Sequence, residues 1–210
     1  IGDHGAKGGL AGVDNGTLRF DHVRVPRRML LDRYGGVDEH GGYHSPIDSA
    51  GRRFFTMLGT LVRGRICVAA GGGVAARRGL SIATRYAARR RQFTAPGYEG
   101  EVVLLDYLAH QRKLLPGIAT AYALGFAQNE LVAALDRVVN AAERDQRAQR
   151  ELETRAAGMK AVATRFANDI LQVCREACGG AGYMAENQLT LLRSDADVFA
   201  TFEGDNTVLL

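Results

Sequence analysis

The 210-residue sequence contains no tryptophan, only 4 prolines and only 3 cysteines. With 46% hydrophobic and 24% charged residues, this composition excludes collagen-like and disordered chains. The odd, sparse set of Cys67, Cys174 and Cys178 excludes a disulfide scaffold and favours a reducing compartment. No run of the sequence approaches the roughly 18 apolar residues of a membrane-spanning helix. We therefore expect a globular chain without a membrane span.

Lysine is also scarce, so the formal net charge of +4 comes almost entirely from arginine. The lysines are Lys7, Lys113 and Lys160. Arginine favours planar, paired contacts with anions over a diffuse positive surface. The modest net charge and the absence of a basic stripe with interleaved aromatics argue against nucleic-acid binding. Cys174 and Cys178 lack the further ligands of a tetrahedral set, so we predict two buried thiols and no metal site.

Residues 1–45 are rich in glycine and show no helical period. Asn15-Gly16 is a strong hairpin signal, and residues 17–25 alternate so that Leu18 and Phe20 share one face. Pro26 ends the predicted strand. This segment is interpreted as the end of a β-domain.

Residues 46–210 change to the period of helices, so the predicted fold class is mainly α. Three apolar stripes predict three long helices in an antiparallel bundle, with a short last helix over residues 188–199. Residues 141–155 are highly charged and predict an exposed turn or helix start. The stripes are Val62, Ile66, Ala69, Gly73, Ala76, Leu80, Ala83 and Ala87; Leu104, Leu108, Gln111, Leu115, Ile118 and Tyr122; and Met159, Val162, Phe166, Ile170, Val173 and Ala177.

Four arginines, Arg85, Arg89, Arg90 and Arg91, follow the first long helix. Positive charge at a helix C-terminus interacts favourably with the helix dipole, which explains part of the cluster. The functional alternative is an anion site, most simply for phosphate, because guanidinium groups offer paired donors to phosphate oxygens.

The third helix ends in Gly179-Gly180-Ala181-Gly182-Tyr183. Glycines allow a ligand to approach the backbone closely, but a glycine-rich helix C-cap has the same sequence pattern. A P-loop is excluded because no strand precedes the glycines and no Lys-Ser or Lys-Thr follows them.

Glu203 lies between Phe202 and Gly204 in a predicted loop. A carboxylate that is partly desolvated by an aromatic neighbour suits a general base, and the alternative is an exposed loop carboxylate. The five histidines form no metal-ligand pair, and no Gly-x-Ser-x-Gly motif supports a serine hydrolase.

Four segments together resemble the acyl-CoA oxidase branch of the acyl-CoA dehydrogenase superfamily. Their order and spacing extend over nearly the whole chain. The segments are Gly-Val-Asp-Asn-Gly at 12–16 with Phe-Asp-His-Val-Arg-Val-Pro at 20–26, Arg-Tyr-Ala-Ala-Arg-Arg-Arg-Gln-Phe at 85–93, Glu-Ala-Cys-Gly-Gly-Ala-Gly-Tyr at 176–183, and Phe-Glu-Gly-Asp-Asn-Thr at 202–207.

The resemblance implies a flavoprotein that oxidises a fatty acyl-CoA to trans-2-enoyl-CoA with FAD and passes the electrons to dioxygen, giving hydrogen peroxide. Residues 1–45 would be the end of the middle β-domain, and residues 46–210 the helical C-terminal domain, truncated at both ends. Because the flavin-ring site of the family lies upstream of residue 1, we expect this chain alone to be colourless when purified.

The family pattern also implies roles for individual residues. Glu203 matches the base that removes the α-proton of the acyl thioester. Arg90 matches an arginine on the FAD pyrophosphate, typically that of the adjacent subunit. The remaining implied contacts are Phe93, Gly179, Gly180 and Asn206 with the cofactor, and Arg65 and Gly204 with the substrate.

Two other functions are alternatives to this one. One is an acyl-CoA dehydrogenase that passes electrons to a flavoprotein carrier, and the other is a non-catalytic binding protein with the flavin fold. The Gly204-Asp205-Asn206-Thr207 turn and the long link of residues 94–103 resemble those of an oxidase. The implied partners are acyl-CoA, dioxygen and further copies in a dimer or tetramer. The implied location is the bacterial cytoplasm or the eukaryotic peroxisome.

Overall fold

Helices account for most of the chain from residue 50 onward. The structure, a computed structural model, describes residues 1–143 and 145–210. The helices are α1 (Ala50–Leu58), α2 (Leu61–Ala87), α3 (Leu108–Val139), α4 (Gln146–Ala177), α5 (Leu189–Asp197) and α6 (Asn206–Leu209). Short 3-10 turns lie at Arg27–Met29, Leu104–Asp106, Gly179–Tyr183, Ala185–Asn187 and Val198–Ala200.

Each of the three long helices α2, α3 and α4 packs against the other two, and α5 packs against α4. Their buried faces form two apolar clusters, one around Leu80, Leu114 and Ile170 and the other around Ile66 and Leu131. Burial of these faces is the main source of stability for such a bundle. The predicted mainly-α bundle is therefore confirmed.

Helix α2 follows the predicted stripe, with one shift at its glycine-rich centre. The glycine on the buried face is Gly72, where a methyl group would lie 3.3 Å from the carbonyl oxygen of Ala163. Gly73, which the stripe predicted to be buried, is only half-buried. The small residues let the backbones of α2 and α4 approach closely, so packing offsets the low helix propensity of glycine.

The predicted stripe on α3 is only partly correct: Leu104 and Ile118 pack against the core, but three of its other members do not. Leu108, Leu115 and Tyr122 are 61%, 52% and 67% exposed, whereas the buried face carries Leu114, Gly117 and Ala121. The helix also begins at Leu108, because residues 104–106 form a 3-10 turn. Small side chains determine which face is buried, because only they let α3 approach the bundle closely.

The N-terminus of α4 is defined by a cap within the charged segment 141–155, of which Arg144 lies outside the described residues. The Asp145 side chain accepts hydrogen bonds from the backbone N–H groups of Arg147 and Ala148, so α4 begins at Gln146. Val162, predicted to be buried, is 50% exposed. A different pair, Lys160 and Thr164, faces the interior and has no exposed surface.

The first 45 residues contain less strand than their alternation predicts. Strand β1 (Gly2–Asp3) pairs with β2 (Gly16–Thr17), and β3 (Gly36–Val37) pairs with β4 (Tyr43–His44). Residues 18–25 form no strand, and Asn15-Gly16 lies at the pairing of β1 with β2 instead of in a two-residue turn. A strand requires a pairing partner, and none of the described strands pairs with residues 18–25. The proposed domain boundary after residue 45 stays a prediction.

The buried thiols were correctly predicted. Cys174 and Cys178 are buried, and Cys67 is exposed; all three are free. Burial raises the pKa of the Cys174 thiol to about 12, with a smaller contribution from Cys178, and burial also raises the pKa of Cys178. Both thiols are therefore protonated at neutral pH and act as small apolar side chains.

The helical stretch Ala50–Ala87 contains an apolar segment of 18 residues with a mean hydropathy of 1.2. In this structure 17% of that segment is buried. By length and composition alone it could cross a membrane, but core helices meet the same criteria, so this is weak evidence. In this structure α2, which forms most of the stretch, packs against α3 and α4.

Candidate active site

The turn that carries Glu203 follows the 3-10 turn Val198–Ala200 and ends where α6 begins. Glu203 and Gly204 have φ angles of +57° and +104°, in the left-handed region that costs free energy for a residue with a side chain. The ring of Phe202 stacks on Phe199 at a centroid distance of 5.4 Å. Such a backbone persists only where the surrounding contacts hold it.

The carboxylate of Glu203 lies directly over Gly64 of α2. A methyl group at position 64 would be 2.6 Å from Glu203 Oε2 and 2.8 Å from Oε1. Oε2 is buried and accepts no hydrogen bond from any of the described residues. A buried carboxylate oxygen without a donor is costly, and such an orphaned group is a mark of a functional site.

Arg65, the next residue on α2, holds the same turn by its backbone. Its Nε donates a hydrogen bond of 3.2 Å to the carbonyl oxygen of Glu203. Arg65 is half-buried. The structure thus places Arg65, Glu203 and Gly204 together, as the sequence predicted for the base and its substrate-contacting neighbours, while their roles stay predictions.

Lys160 is a residue of this site that sequence reasoning missed. Its Nζ donates to the carbonyl oxygens of Gly204 at 2.6 Å and Ala200 at 3.3 Å, and to Asn206 Oδ1 at 2.9 Å. The signal was available, since Lys160 lies among apolar residues on α4 in a chain with very few lysines.

The amide of Asn206 is engaged inside the protein. Its Oδ1 accepts from Lys160, and its Nδ2 donates to Thr164 Oγ1 at 3.0 Å and to the carbonyl oxygen of Ala161 at 3.2 Å. The cofactor contact of Asn206 stays a prediction. In this structure its side chain connects the Glu203 turn to α4.

A second group of predicted site residues lies around a cleft at the C-terminal end of α2. The cleft has a volume of about 460 Å³. It is lined by Arg85, Arg89 and Arg90. Its lining also includes Cys178, which directly follows α4, and Ala181 of the glycine-rich turn. Within residues 1–143 and 145–210, none of these three guanidinium groups pairs with an Asp or Glu side chain. The arginine cluster and the glycine-rich turn, predicted separately, therefore form one cleft.

The remaining predicted cofactor residues lie on exposed backbone near that cleft. Phe93 is on strand β5 (Arg91–Thr94), which pairs with β6 (Glu101–Val103); it has a φ of +59° and is 69% exposed. Gly179 has a φ of +57°, and within the described part of the chain a methyl group at Gly179 or Gly180 would contact nothing within 4 Å. Both glycines are thus open to an approaching group.

The two sites lie at opposite ends of α2. Arg65 and Arg85 are 20 residues apart on this helix, which at 1.5 Å per residue corresponds to about 30 Å. One chain therefore presents its carboxylate and its arginine cleft at well-separated places.

A family model described as "Acyl-CoA oxidase, C-alpha1 domain" matches residues 58–210, which include α2 to α6, the Glu203 turn and the arginine cleft. The chain belongs to the acyl-CoA oxidase family. The superfamily resemblance and its oxidase branch are thereby confirmed.

Relatives in the acyl-CoA oxidase family match the whole chain. Acyl-coenzyme A oxidase 2, peroxisomal, of Arabidopsis thaliana is 44% identical over 210 residues, which are 100% of this chain and 30% of that protein. The solved structure of Arabidopsis thaliana acyl-CoA oxidase 1 has a TM-score of 0.87 and 36% identity, covering 99% of this chain and 32% of that one. Acyl-CoA oxidase-1 of Caenorhabditis elegans, solved complexed with FAD and ATP, has a TM-score of 0.85 and 33% identity, covering 99% and 30%. The chain spans about 30% of the length of these relatives.

Proposed function

We propose that the complete gene product is an FAD-dependent acyl-CoA oxidase that converts a fatty acyl-CoA and dioxygen to trans-2-enoyl-CoA and hydrogen peroxide. The observation that carries this proposal is the Glu203 carboxylate, whose buried Oε2 has no donor among the described residues and faces the bare backbone of Gly64. Membership of the acyl-CoA oxidase family supplies the substrate class.

In this proposal Glu203 is the general base. An oxygen that accepts no hydrogen bond has its lone pairs free to take the α-proton of a bound acyl thioester. The left-handed backbone at Glu203 and Gly204 fixes the direction in which the side chain leaves the turn. Arg65 and Gly204 adjoin the carboxylate, and we assign them to the acyl thioester end of the substrate.

The cofactor is assigned to the arginine cleft by the chemistry of its donors. Guanidinium groups without a carboxylate partner suit the oxygens of a diphosphate, and the open backbone at Gly179 and Gly180 allows close approach. Arg90 would hold the pyrophosphate of FAD, with Phe93 against the same cofactor. The chemistry that FAD would supply when bound is acceptance of the β-hydrogen as hydride and transfer of its electron pair to dioxygen.

The roughly 30 Å along α2 between Arg65 and the arginine cleft supports a homo-oligomer. In such an assembly the arginine cleft of one copy would serve the cofactor at the carboxylate of another. For a eukaryotic source, the peroxisomal relative favours the peroxisome; for a bacterial source, we propose the cytoplasm.

Replacing Arg90 with alanine is expected to lower the flavin content of the purified complete gene product to well below one per chain. The reason is that charge-assisted hydrogen bonds to phosphate oxygens are roughly twice as strong as neutral ones. The ratio of flavin to protein absorbance measures this effect. Arg112→Ala, which removes an exposed arginine on α3 that does not line the cleft, is the matched control. Equal flavin content in both variants would reject the role of Arg90.

Electron transfer to dioxygen separates an oxidase from a dehydrogenase. We expect the complete gene product to consume oxygen and form hydrogen peroxide when mixed with a saturated acyl-CoA, without an added electron carrier. Turnover that is insensitive to oxygen and requires an electron-transferring flavoprotein would instead favour the dehydrogenase.

A further inference from the structure

Among the described residues, Lys160 has the largest side chain that is fully buried. Lysine is almost never fully buried unless its charge is compensated. Its three acceptors are the carbonyl oxygens of Ala200 and Gly204 and the side-chain oxygen of Asn206. An ammonium group has three N–H donors and no acceptor. The three contacts therefore match the charged form of the side chain.

These acceptors lie on both sides of Glu203 in the sequence. The carbonyl of Ala200 precedes the turn, that of Gly204 follows Glu203 directly, and Asn206 begins α6. One buried group on α4 thus joins the entry and the exit of the segment that carries the proposed base. Thr164, one helical turn after Lys160 on α4, supports the same segment by accepting from Asn206 Nδ2 at 3.0 Å.

The segment needs such support because its backbone is unfavourable. Glu203 and Gly204 both have positive φ angles, and for Glu203 this conformation is strained. Arg65 holds the carbonyl oxygen of Glu203 from α2, while Lys160 holds that of Gly204 from α4. The two cations thus bind consecutive carbonyl groups, one from each of two neighbouring helices, while the carboxylate lies over Gly64.

The charges around Lys160 are mixed. Burial lowers the pKa of Lys160 and is the largest effect; Asp205 opposes it, Arg65 adds to it and Glu203 opposes it. Two nearby carboxylates and the three acceptors therefore offset part of the cost of burying the ammonium group.

We propose that Lys160 is a positioning residue for the reaction, which holds the turn of residues 200–206 so that the Glu203 carboxylate lies over Gly64. The proposal rests on the proposed function, in which Glu203 is the base. Lys160 itself contacts the backbone and Asn206, so it acts through Glu203 and not on the substrate.

The test is Lys160→Met in the complete gene product, because methionine nearly preserves the length of the side chain and removes all three donors. We expect anaerobic flavin reduction by a saturated acyl-CoA to slow by about 10²-fold, since small misplacements of a catalytic group cost this much. Flavin content and the acyl-CoA concentration giving half the maximal rate should stay within about threefold, because binding groups are retained. The isotope effect with α-deuterated acyl-CoA should rise, because proton removal becomes more strongly rate-limiting.

Two control variants separate positioning from folding. Lys113→Met makes the same substitution at an exposed lysine on α3. Leu171→Ala opens a cavity at a fully buried position of α4, 11 residues after Lys160. Both should reduce flavin at the wild-type rate per bound flavin, although Leu171→Ala lowers the melting temperature. If Lys160→Met does not fold, Lys160→Gln, whose amide can reach fewer acceptors, should show the same pattern with a smaller loss.

A double variant shows whether Lys160 acts through Glu203. In a Glu203→Gln background, Lys160→Met should slow flavin reduction no further, since residues that act as a unit are non-additive. Additive losses, or a wild-type rate in Lys160→Met while Glu203→Gln is inactive, would overturn the positioning role and leave the proposed base intact. A wild-type rate in Glu203→Gln alone would instead overturn the proposed function.

Discussion

Glu203→Gln in the complete gene product is expected to slow flavin reduction by acyl-CoA by about 10² to 10⁴-fold, the usual contribution of a general base. Glutamine has nearly the same shape as glutamate but is not basic. The Arg65 contact goes to the backbone oxygen of residue 203, so the substitution keeps it. The folded turn and the bound flavin should therefore be retained. The rate of loss of flavin absorbance under anaerobic conditions measures the effect.

The matched control for Glu203→Gln is Glu130→Gln, which changes an exposed glutamate on α3 that pairs with Arg137 at 2.9 Å. An exposed ion pair contributes little to stability, so this variant should behave as the wild type. If Glu203→Gln also kept the wild-type rate with full flavin content, the base would have to be another residue.

Gly64→Ala is expected to slow flavin reduction by about 10²-fold, because the added methyl group would displace the carboxylate from its position. That methyl group would lie 2.6 Å from Glu203 Oε2, closer than atoms in contact allow. The atoms that the methyl group would displace are the end of a flexible side chain. The carboxylate can therefore move aside at little cost in folding free energy. Unfolding midpoints should therefore change little while the reaction slows.

Gly73→Ala is the matched control for Gly64→Ala, since it places the same methyl group on the same helix. Its nearest neighbour outside the helix backbone would be Arg77 Nη1 at 3.9 Å. Alanine exceeds glycine in helix propensity by about 1 kcal/mol, so this variant should be as stable as the wild type or more so, with unchanged flavin reduction. Equal rates in both variants would show that the carboxylate does not act from its position over Gly64.

The helices were predictable because their periodicity depends on local sequence. The face that each helix buries was harder to predict. On α3 the larger apolar residues Leu108, Leu115 and Tyr122 indicated the wrong face. Gly117 lies where a methyl group would collide with the Ile170 side chain, so the close contact of helices decides the orientation. That contact depends on residues distant in sequence, which a single stripe does not show.

The candidate site was predictable where a short motif carries it and not where distant residues meet. The resemblance identified Glu203 and Arg65, which the structure brings together. Lys160 was missed because its three acceptors are 40 to 46 residues away in the sequence. A lysine on a helix is usually exposed, and only the packing of the Glu203 turn against α4 gives this one a buried role.

The alternating pattern of residues 17–25 predicted a strand that residues 18–25 do not form. Period-two alternation describes the side chains of a strand, but a strand also needs a neighbour for its backbone. Leu18, Phe20 and Val23 are 65%, 75% and 61% exposed, without a described neighbouring strand. The pattern therefore predicted a local preference that this chain does not realise.

In the proposed function, the complete gene product oxidises acyl-CoA through a flavin and returns the electrons to dioxygen. The most direct test mixes the complete, flavin-loaded gene product anaerobically with a saturated acyl-CoA and then admits oxygen. We expect the flavin absorbance to bleach in the first step and to recover rapidly in the second, with formation of hydrogen peroxide. Bleaching without recovery in oxygen, or no bleaching at all, would contradict the proposed function.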